Sequence, residues 1–291
     1  MTINASSHEK QATPEKLLII GCGDIGQRLA QQLDSTLYQV TGLRRHPPAN
    51  LPHLQYQACD ATQAGQLEKL FSSENYDVIV ITMTPSERSD LGYEQAYVHT
   101  CQHLVAALKQ YQRQPRLIIF VSSTAVYAQN DGSWVDEQSP TQTDSFSGKR
   151  LLEAEQIIQH SEFAHCIVRF SGIYGPGRNR LIEQVKQRSA SASPHYTNRI
   201  HADDCAGVLD HLIGLQHQQP LADIYLATDS SPTPMLEVVS WIAEQLKVKD
   251  FLAADATNER GNKRISNQRL IGTGYQFRYP EFRTGYIKLI N

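Results

Sequence analysis

The run Leu17-Leu18-Ile19-Ile20-Gly21-Cys22-Gly23-Asp24-Ile25-Gly26-Gln27-Arg28-Leu29-Ala30 constrains the fold more than any other part of the chain. Four apolar residues predict a buried strand, Gly-x-Gly-x-x-Gly a tight turn, and the residues from Ile25 a helix. In such a loop the first glycine permits the turn, and the second lets a pyrophosphate approach the backbone. The third lets the helix pack on the strand. The helix then offers free N–H groups and the positive end of its dipole to phosphate. The motif is weak by itself. A strand before it, a helix after it and a second strand at the right distance favour dinucleotide binding over an unoccupied glycine turn.

The rest of the chain continues the alternation. Leu17–Ile20, Tyr38–Leu43, Asp77–Met83, Leu117–Val121 and His165–Val168 are short, continuously apolar and rich in Ile, Val and Leu. That pattern fits parallel strands buried on both faces. Helical patterns at Ile25–Leu33, Gln66–Phe71, Tyr93–Tyr111 and Lys149–Gln159 lie between them. Leu54–Ala58 adds a further strand. The alternation predicts a doubly wound α/β sheet with right-handed crossovers. After Arg169 the pattern loosens through Gly172, Gly175, Pro176 and Gly177, then through the Ser/Ala-rich stretch Ser189–Pro194. Helices are expected at Asp204–Leu215, capped by Asp203 or Asp204, and at Met235–Leu246, entered through Thr233-Pro234. Segments near Ile200 and Asp223–Ala227 are expected to return to the sheet. The expected organisation is a flexible tail at 1–15, a dinucleotide-binding domain at 16–169 and a smaller substrate lobe at 170–291.

Composition narrows the function classes. A length of 291 residues, 40% hydrophobic and 20% charged, is that of an ordinary globular protein. A net charge of −3 gives no global attraction to nucleic acid or anionic membrane, so neither partner is expected. Five widely spaced cysteines without a Cys-x-x-Cys pair read as reduced thiols rather than a disulfide framework or zinc ribbon. No apolar run approaches the roughly 20 residues that span a bilayer. Met1–Pro14 lacks the apolar core of a signal peptide. The cytoplasm is the expected compartment, and the oligomeric state is left open.

The second strand reads Val40-Thr41-Gly42-Leu43-Arg44-Arg45, where an NAD-binding chain would carry an Asp or Glu for the ribose 2′-hydroxyl. Arg44 and Arg45 suit a 2′-phosphate instead, so NADP is expected and NAD less so. The competing reading is a solvated basic strand end. Asp60 either touches the adenine or caps the helix that follows. The expected cofactor contacts are Gly21, Gly23, Asp24, Ile25, Gly26, Arg44, Arg45 and Asp60. Thr82, Met83 and Thr84, at the end of the third apolar strand, extend the set.

The glycine loop, Phe120-Val121-Ser122-Ser123-Thr124-Ala125-Val126-Tyr127, Arg169-Phe170-Ser171-Gly172-Ile173-Tyr174-Gly175-Pro176-Gly177 and Asn198-Arg199-Ile200-His201-Ala202-Asp203-Asp204 occur in a distinctive order. Together they resemble the extended short-chain dehydrogenase/reductases, the NAD(P)-dependent epimerase/dehydratase group, over nearly the whole chain from Lys16. The resemblance implies a Rossmann-like sheet with a smaller substrate lobe, and a nucleotide-sugar or other small polar metabolite as substrate. It implies that Ser123 lies beside the nicotinamide, where its hydroxyl can bond a carbonyl or alkoxide, with Ser122 and Lys149 as further cofactor contacts. The alternative is a hydroxyl that satisfies a strand end. Tyr174 and Arg199 are the expected substrate contacts, Arg199 toward a phosphate.

The chain departs from the family at its proton-transferring Tyr-x-x-x-Lys element. Aligned on Leu151-Leu152-Glu153-Ala154-Glu155-Gln156, Ser147 takes the tyrosine's place and Leu151 the lysine's. Aligned on the aromatic residue, Phe146 and Arg150 do. Phe cannot transfer a proton, and Ser is a poor acid at neutral pH. The chain therefore resembles atypical members of the family. Tyr127 and Tyr174 are the weaker alternatives for a proton donor. His99 and His103, at i, i+4, lack a third ligand, so no metal site is expected. No Gly-x-Ser-x-Gly elbow is present. His201 with Asp203 and Asp204 reads as a structural turn near the cleft, and Arg178 and Arg180 as solvated loop arginines. Two functions follow. One is an NADP-dependent epimerase-like oxidoreductase with non-standard acid–base groups, and the other a non-catalytic NADP(H)-binding sensor.

Overall fold

Strands Glu15–Ile20 (β1) and Val78–Ile81 (β4) lie side by side, and Leu17–Ile20 and Val78–Ile81 are fully buried. Such burial needs cover on both faces, and two apolar cores supply it. Leu17, Ile19, Val78 and Val80 face helices Asp24–Gln32 (α1) and Ala202–Leu215 (α7). Leu18, Ile20, Ile79 and Ile81 face helices Gln66–Ser73 (α2), Thr100–Gln110 (α4) and Phe146–Gln159 (α5). The remaining sheet strands are Tyr38–Arg44 (β2), Gln55–Ala58 (β3), Leu117–Ser123 (β5), His165–Phe170 (β7) and Ile224–Ala227 (β11). All pair in parallel, in the order β3-β2-β1-β4-β5-β7-β11. The order reverses between β1 and β4, and at such a switch point the carboxyl ends of the strands open a ligand crevice.

This computed structural model describes residues 13–251 and 261–290. The expected tail lies outside the described residues up to residue 12. Its last residue, Glu15, instead opens β1 and pairs with Arg116 at 2.6 Å. Burial and the partners Arg116 and His217 act in opposite senses on its carboxyl. The net effect holds it below the usual range.

The C-terminal part of the chain builds a separate apolar core around Tyr174, Val185, Ile242, Phe282 and Tyr286. Its elements are Gly172–Tyr174 (β8), Arg180–Lys186 (α6), Tyr196–Thr197 (β9), Arg199–His201 (β10), Thr233–Pro234 (β12), Met235–Leu246 (α8) and Phe282–Ile290 (α10). The segment around Ile200 does not extend the main sheet as expected. It pairs with β8 as a two-stranded ribbon, whereas Ile224–Ala227 does join the large sheet beside β7. Strand Arg264–Ile265 (β13) pairs in parallel with Trp134–Val135 (β6), and Gln268–Gly272 (α9) follows.

Three helix starts differ from the sequence expectation. Helix α5, expected from Lys149, begins at Phe146 behind the cap Ser145. The cap of α7 is His201, whose Nδ1 accepts from the Asp203 N–H at 3.2 Å. Asp203 and Asp204 lie inside the first turn, where their charge suits the helix dipole. The helix expected at Tyr93–Tyr111 begins at Asp90 (α3, Asp90–Tyr93), capped by Ser89, and passes through a π-helical turn at Glu94–His99 before α4. The wider turn shifts the phase of the side chains that follow.

Candidate functional site

The glycine loop joins β1 to α1 directly over the exit of β4. Gly21 has φ of +77°, and a Cβ there would come within 2.9 Å of the Met83 Cα, so no larger residue fits. A Cβ on Gly26 would meet Ile19 Cγ2 at 2.9 Å, the close helix–strand packing the motif requires. Gly23 is different. Its φ is −86°, and a Cβ would find nothing nearer than the Gly21 carbonyl at 3.9 Å. The protein's own packing does not demand glycine at this position, whereas an approaching pyrophosphate does. Thr82 ties the loop to β4 by donating from Oγ1 to the Gly21 carbonyl at 3.0 Å.

A cavity of about 270 Å³ opens from this loop. Among the expected cofactor residues, Gly21, Gly23, Arg44, Arg45, Asp60, Met83 and Thr84 line it. His46, Thr62, Ser86 and Gln95 line it as well and were not singled out from sequence. Gln95 reaches it from the π-helical turn, which residue spacing does not reveal. Asp60 caps no helix, since Gly65 precedes α2. Its Oδ1 instead accepts from the Thr62 N–H and hydroxyl at 3.1 and 2.7 Å, which fixes the cavity wall. The cavity's cationic side chains and open glycine loop fit the phosphates of a dinucleotide.

The other expected contacts lie outside that cavity. Ile25 and Gly26 are buried in the helix–strand contact. The Asp24 carboxylate is shared by Arg28 and Arg178 at 2.8 and 3.1 Å. Ser122 donates to Glu155 at 2.5 Å inside the core. Ser123, half-buried, accepts from the Ala125 N–H at 3.2 Å and so caps the 3₁₀ turn Thr124–Val126, which leaves its own proton to donate elsewhere. Lys149 is exposed, in a surface groove with Asp90, Asp144 and Phe146.

The positions of the missing Tyr-Lys pair are occupied by groups with other tasks. Phe146 packs edge-on against Tyr93 with ring centres 5.5 Å apart. The Ser147 hydroxyl faces Ser145 Oγ at 3.3 Å. Arg150 makes a two-bond pair with Asp90 at 2.8 and 2.9 Å and also meets Glu153 and Glu94. Leu151 is buried in the core between α5 and the sheet. Tyr127 is buried, accepts from Arg169 at 2.6 Å and donates to the Asp136 carbonyl at 3.0 Å. Burial pushes its phenol above the ordinary range.

Tyr174 and Arg199 turn into the C-terminal core. Tyr174 stacks on Tyr286 at 4.4 Å, and burial drives its phenol upward. Arg199, 7% exposed, donates to Thr197 Oγ1 at 2.6 Å and approaches the Met235 sulfur at 3.3 Å. Beside them Asp229 is 1% exposed, and burial raises its carboxyl to about 7. Burial lowers His201 to about 4. Among the described residues no three His, Cys, Asp or Glu side chains gather as a metal site, and His103 Nδ1 faces the Ala61 carbonyl at 3.1 Å.

This geometry defines a dinucleotide-binding α/β protein. The family model for the NAD dependent epimerase/dehydratase family matches residues 17–217, and the chain belongs to that family. Protein YeeZ of Escherichia coli (strain K12) is 30% identical over 209 residues, covering 68% of this chain and 73% of its own. An epimerase/dehydratase-type structure from Methylobacillus flagellatus is 35% identical with a TM-score of 0.81, covering 95% and 97% of the two chains. Two more distant structures share the fold. Human epimerase family protein SDR39U1 with NADPH has 20% identity and a TM-score of 0.75, covering 94% and 99%. MoeE5 with UDP-glucose and NAD has 21% identity and a TM-score of 0.76, covering 94% and 97%. No helix among the described residues is long and apolar enough to cross a membrane.

Proposed function

We propose that this protein is an NADP(H)-dependent, epimerase-like oxidoreductase that acts on a nucleotide-sugar or another small polar metabolite with non-standard acid–base groups. The observation that carries the cofactor reading is the cavity that joins the open Gly23 loop to Arg44 and Arg45. Guanidinium groups bind a 2′-phosphate through charge-assisted bonds, and the second strand carries no carboxylate to hold a 2′-hydroxyl. Human SDR39U1 with NADPH supports this choice, and MoeE5 with UDP-glucose supports the substrate class. The bound nicotinamide supplies hydride transfer. The Gly21–Gly26 loop seats the phosphates, Arg44 and Arg45 select the cofactor, and Ser123 donates a hydrogen bond to the reacting oxygen. Five free, buried cysteines suit a reducing cytoplasm.

A second reading is a sensor that binds NADP(H) and performs little chemistry. It is favoured by Arg150, fully engaged by carboxylates, and by Leu151, buried where a lysine would be needed. Spectrophotometric turnover of the NADP-loaded protein with UDP-glucose and UDP-glucuronic acid separates the two. Turnover that falls in Ser123→Ala supports the enzyme. Tight NADPH binding without turnover supports the sensor.

A further inference from the structure

Helix α1 begins at the glycine loop, and its first residue carries a carboxylate. Asp24 divides that carboxylate between two arginines. Oδ1 accepts from Arg28 Nε at 2.8 Å, and Oδ2 accepts from Arg178 Nε at 3.1 Å. The two are not held alike. Arg28 also donates to Asp203 at 2.5 Å and to the Pro176 carbonyl at 3.4 Å, and its side chain is 21% exposed. The side chain of Arg178 has Asp24 as its single partner among the described residues and is 38% exposed.

Arg178 belongs to the C-terminal part of the chain. It closes a tight turn in which its N–H donates to the Gly175 carbonyl at 2.9 Å, with Gly175 and Gly177 at φ of +142° and +80°. These values favour glycine, and from the turn they form Arg178 reaches across to α1. A dinucleotide seated on the loop adds negative charge beside Asp24. Arg28 and Arg178, with Arg278 at 3.8 Å from Asp203, set three cations against the two carboxylates of Asp24 and Asp203. Of the two arginines on Asp24, Arg178 is the one free to change partner.

We propose that Arg178 is a cofactor-responsive strap. It leaves Asp24 for the pyrophosphate of the bound dinucleotide and draws the Gly175–Arg178 turn onto the cofactor, while Arg28 stays as the anchor. The inference rests on the dinucleotide reading of the glycine loop.

Calorimetric titration of NADPH into wild type, Arg178→Ala and Asp24→Asn at one ionic strength tests it. Arg178→Ala is expected to bind about tenfold more weakly, the loss of one charge-assisted contact. Asp24→Asn is expected to bind more tightly, because both a competitor for Arg178 and a repulsive charge are gone. A pair that only holds the turn in place predicts weaker binding in both variants, so the sign for Asp24→Asn decides. Hydrogen exchange over residues 172–188 gives a second readout. NADPH slows exchange there in wild type and not in Arg178→Ala. Unchanged affinity in Arg178→Ala, or weaker binding in Asp24→Asn, overturns the strap. Failure of wild type to bind any dinucleotide overturns the cofactor reading itself, and with it the strap.

Discussion

Glu155 and Arg169 form a two-bond ion pair at 2.6 and 2.9 Å that is almost wholly removed from solvent, with side chains 2% and 4% exposed. Ser122 donates to the same carboxylate, and Tyr127 accepts from the same guanidinium. The pair thereby joins α5, β7, the end of β5 and Tyr127, which follows the 3₁₀ turn. Removing one member leaves the other charged and buried, which typically destabilises by about 3–5 kcal/mol. Arg169→Met is predicted to lose stability of that order in urea melts. Arg169→Met with Glu155→Leu is predicted to recover most of it.

Gly23→Val is predicted to abolish dinucleotide binding and leave the melting temperature close to wild type. A Cβ there meets nothing nearer than the Gly21 carbonyl at 3.9 Å, and the branched side chain takes the space that a pyrophosphate needs. Calorimetry paired with a thermal melt checks both halves. Gly21→Val, by contrast, is predicted to destabilise the fold, because its backbone angle and the Met83 backbone both exclude a side chain.

Asp229 gives the chain a pH-dependent stability. Its carboxyl titrates near 7 when folded and near 4 when unfolded, so the folded state binds the proton more tightly. Stability is therefore fully retained below about pH 4, falls as pH rises between those values, and is flat above the folded value. Asp229→Asn removes the penalised charge and keeps an oxygen for the Ser231 N–H, now bonded at 3.1 Å. The variant is predicted to be more stable than wild type at pH 8, by a gain on the order of a few kcal/mol, and equal to it near pH 4. Melting temperatures across that range measure it, and a gain that does not shrink toward acid pH would contradict the assignment.

The main sheet is legible in the sequence because its strands are buried on both faces, which forces runs such as Leu17–Ile20 and Val78–Ile81 to be apolar throughout. The glycine loop is legible because close approach requires glycine at Gly21 and Gly26. The return of Ile200 to β8 is not legible. A three-residue strand carries too little pattern to choose a partner. Asp204 shows the same limit. Its carboxylate is not a helix cap but accepts from the Arg278 and Tyr279 N–H groups at 2.7 and 2.9 Å, partners more than 70 residues away that no local signal announces. At the site, Arg44, Arg45 and Asp60 could be picked out by their position at or just past a strand end. Gln95 could not, because its direction depends on the π-helical turn at Glu94–His99.

Fluorescence titration with NADPH and NADH at fixed salt, on wild type and on Arg44→Ala with Arg45→Ala, decides whether the two arginines select the cofactor. Wild type is predicted to prefer NADPH by about 10–100-fold, as expected for one or two charge-assisted bonds to the 2′-phosphate. The double variant loses most of that preference and binds NADH nearly as before. Equal affinity of wild type for the two cofactors would reduce Arg44 and Arg45 to a solvated surface pair and contradict the assignment of NADP(H).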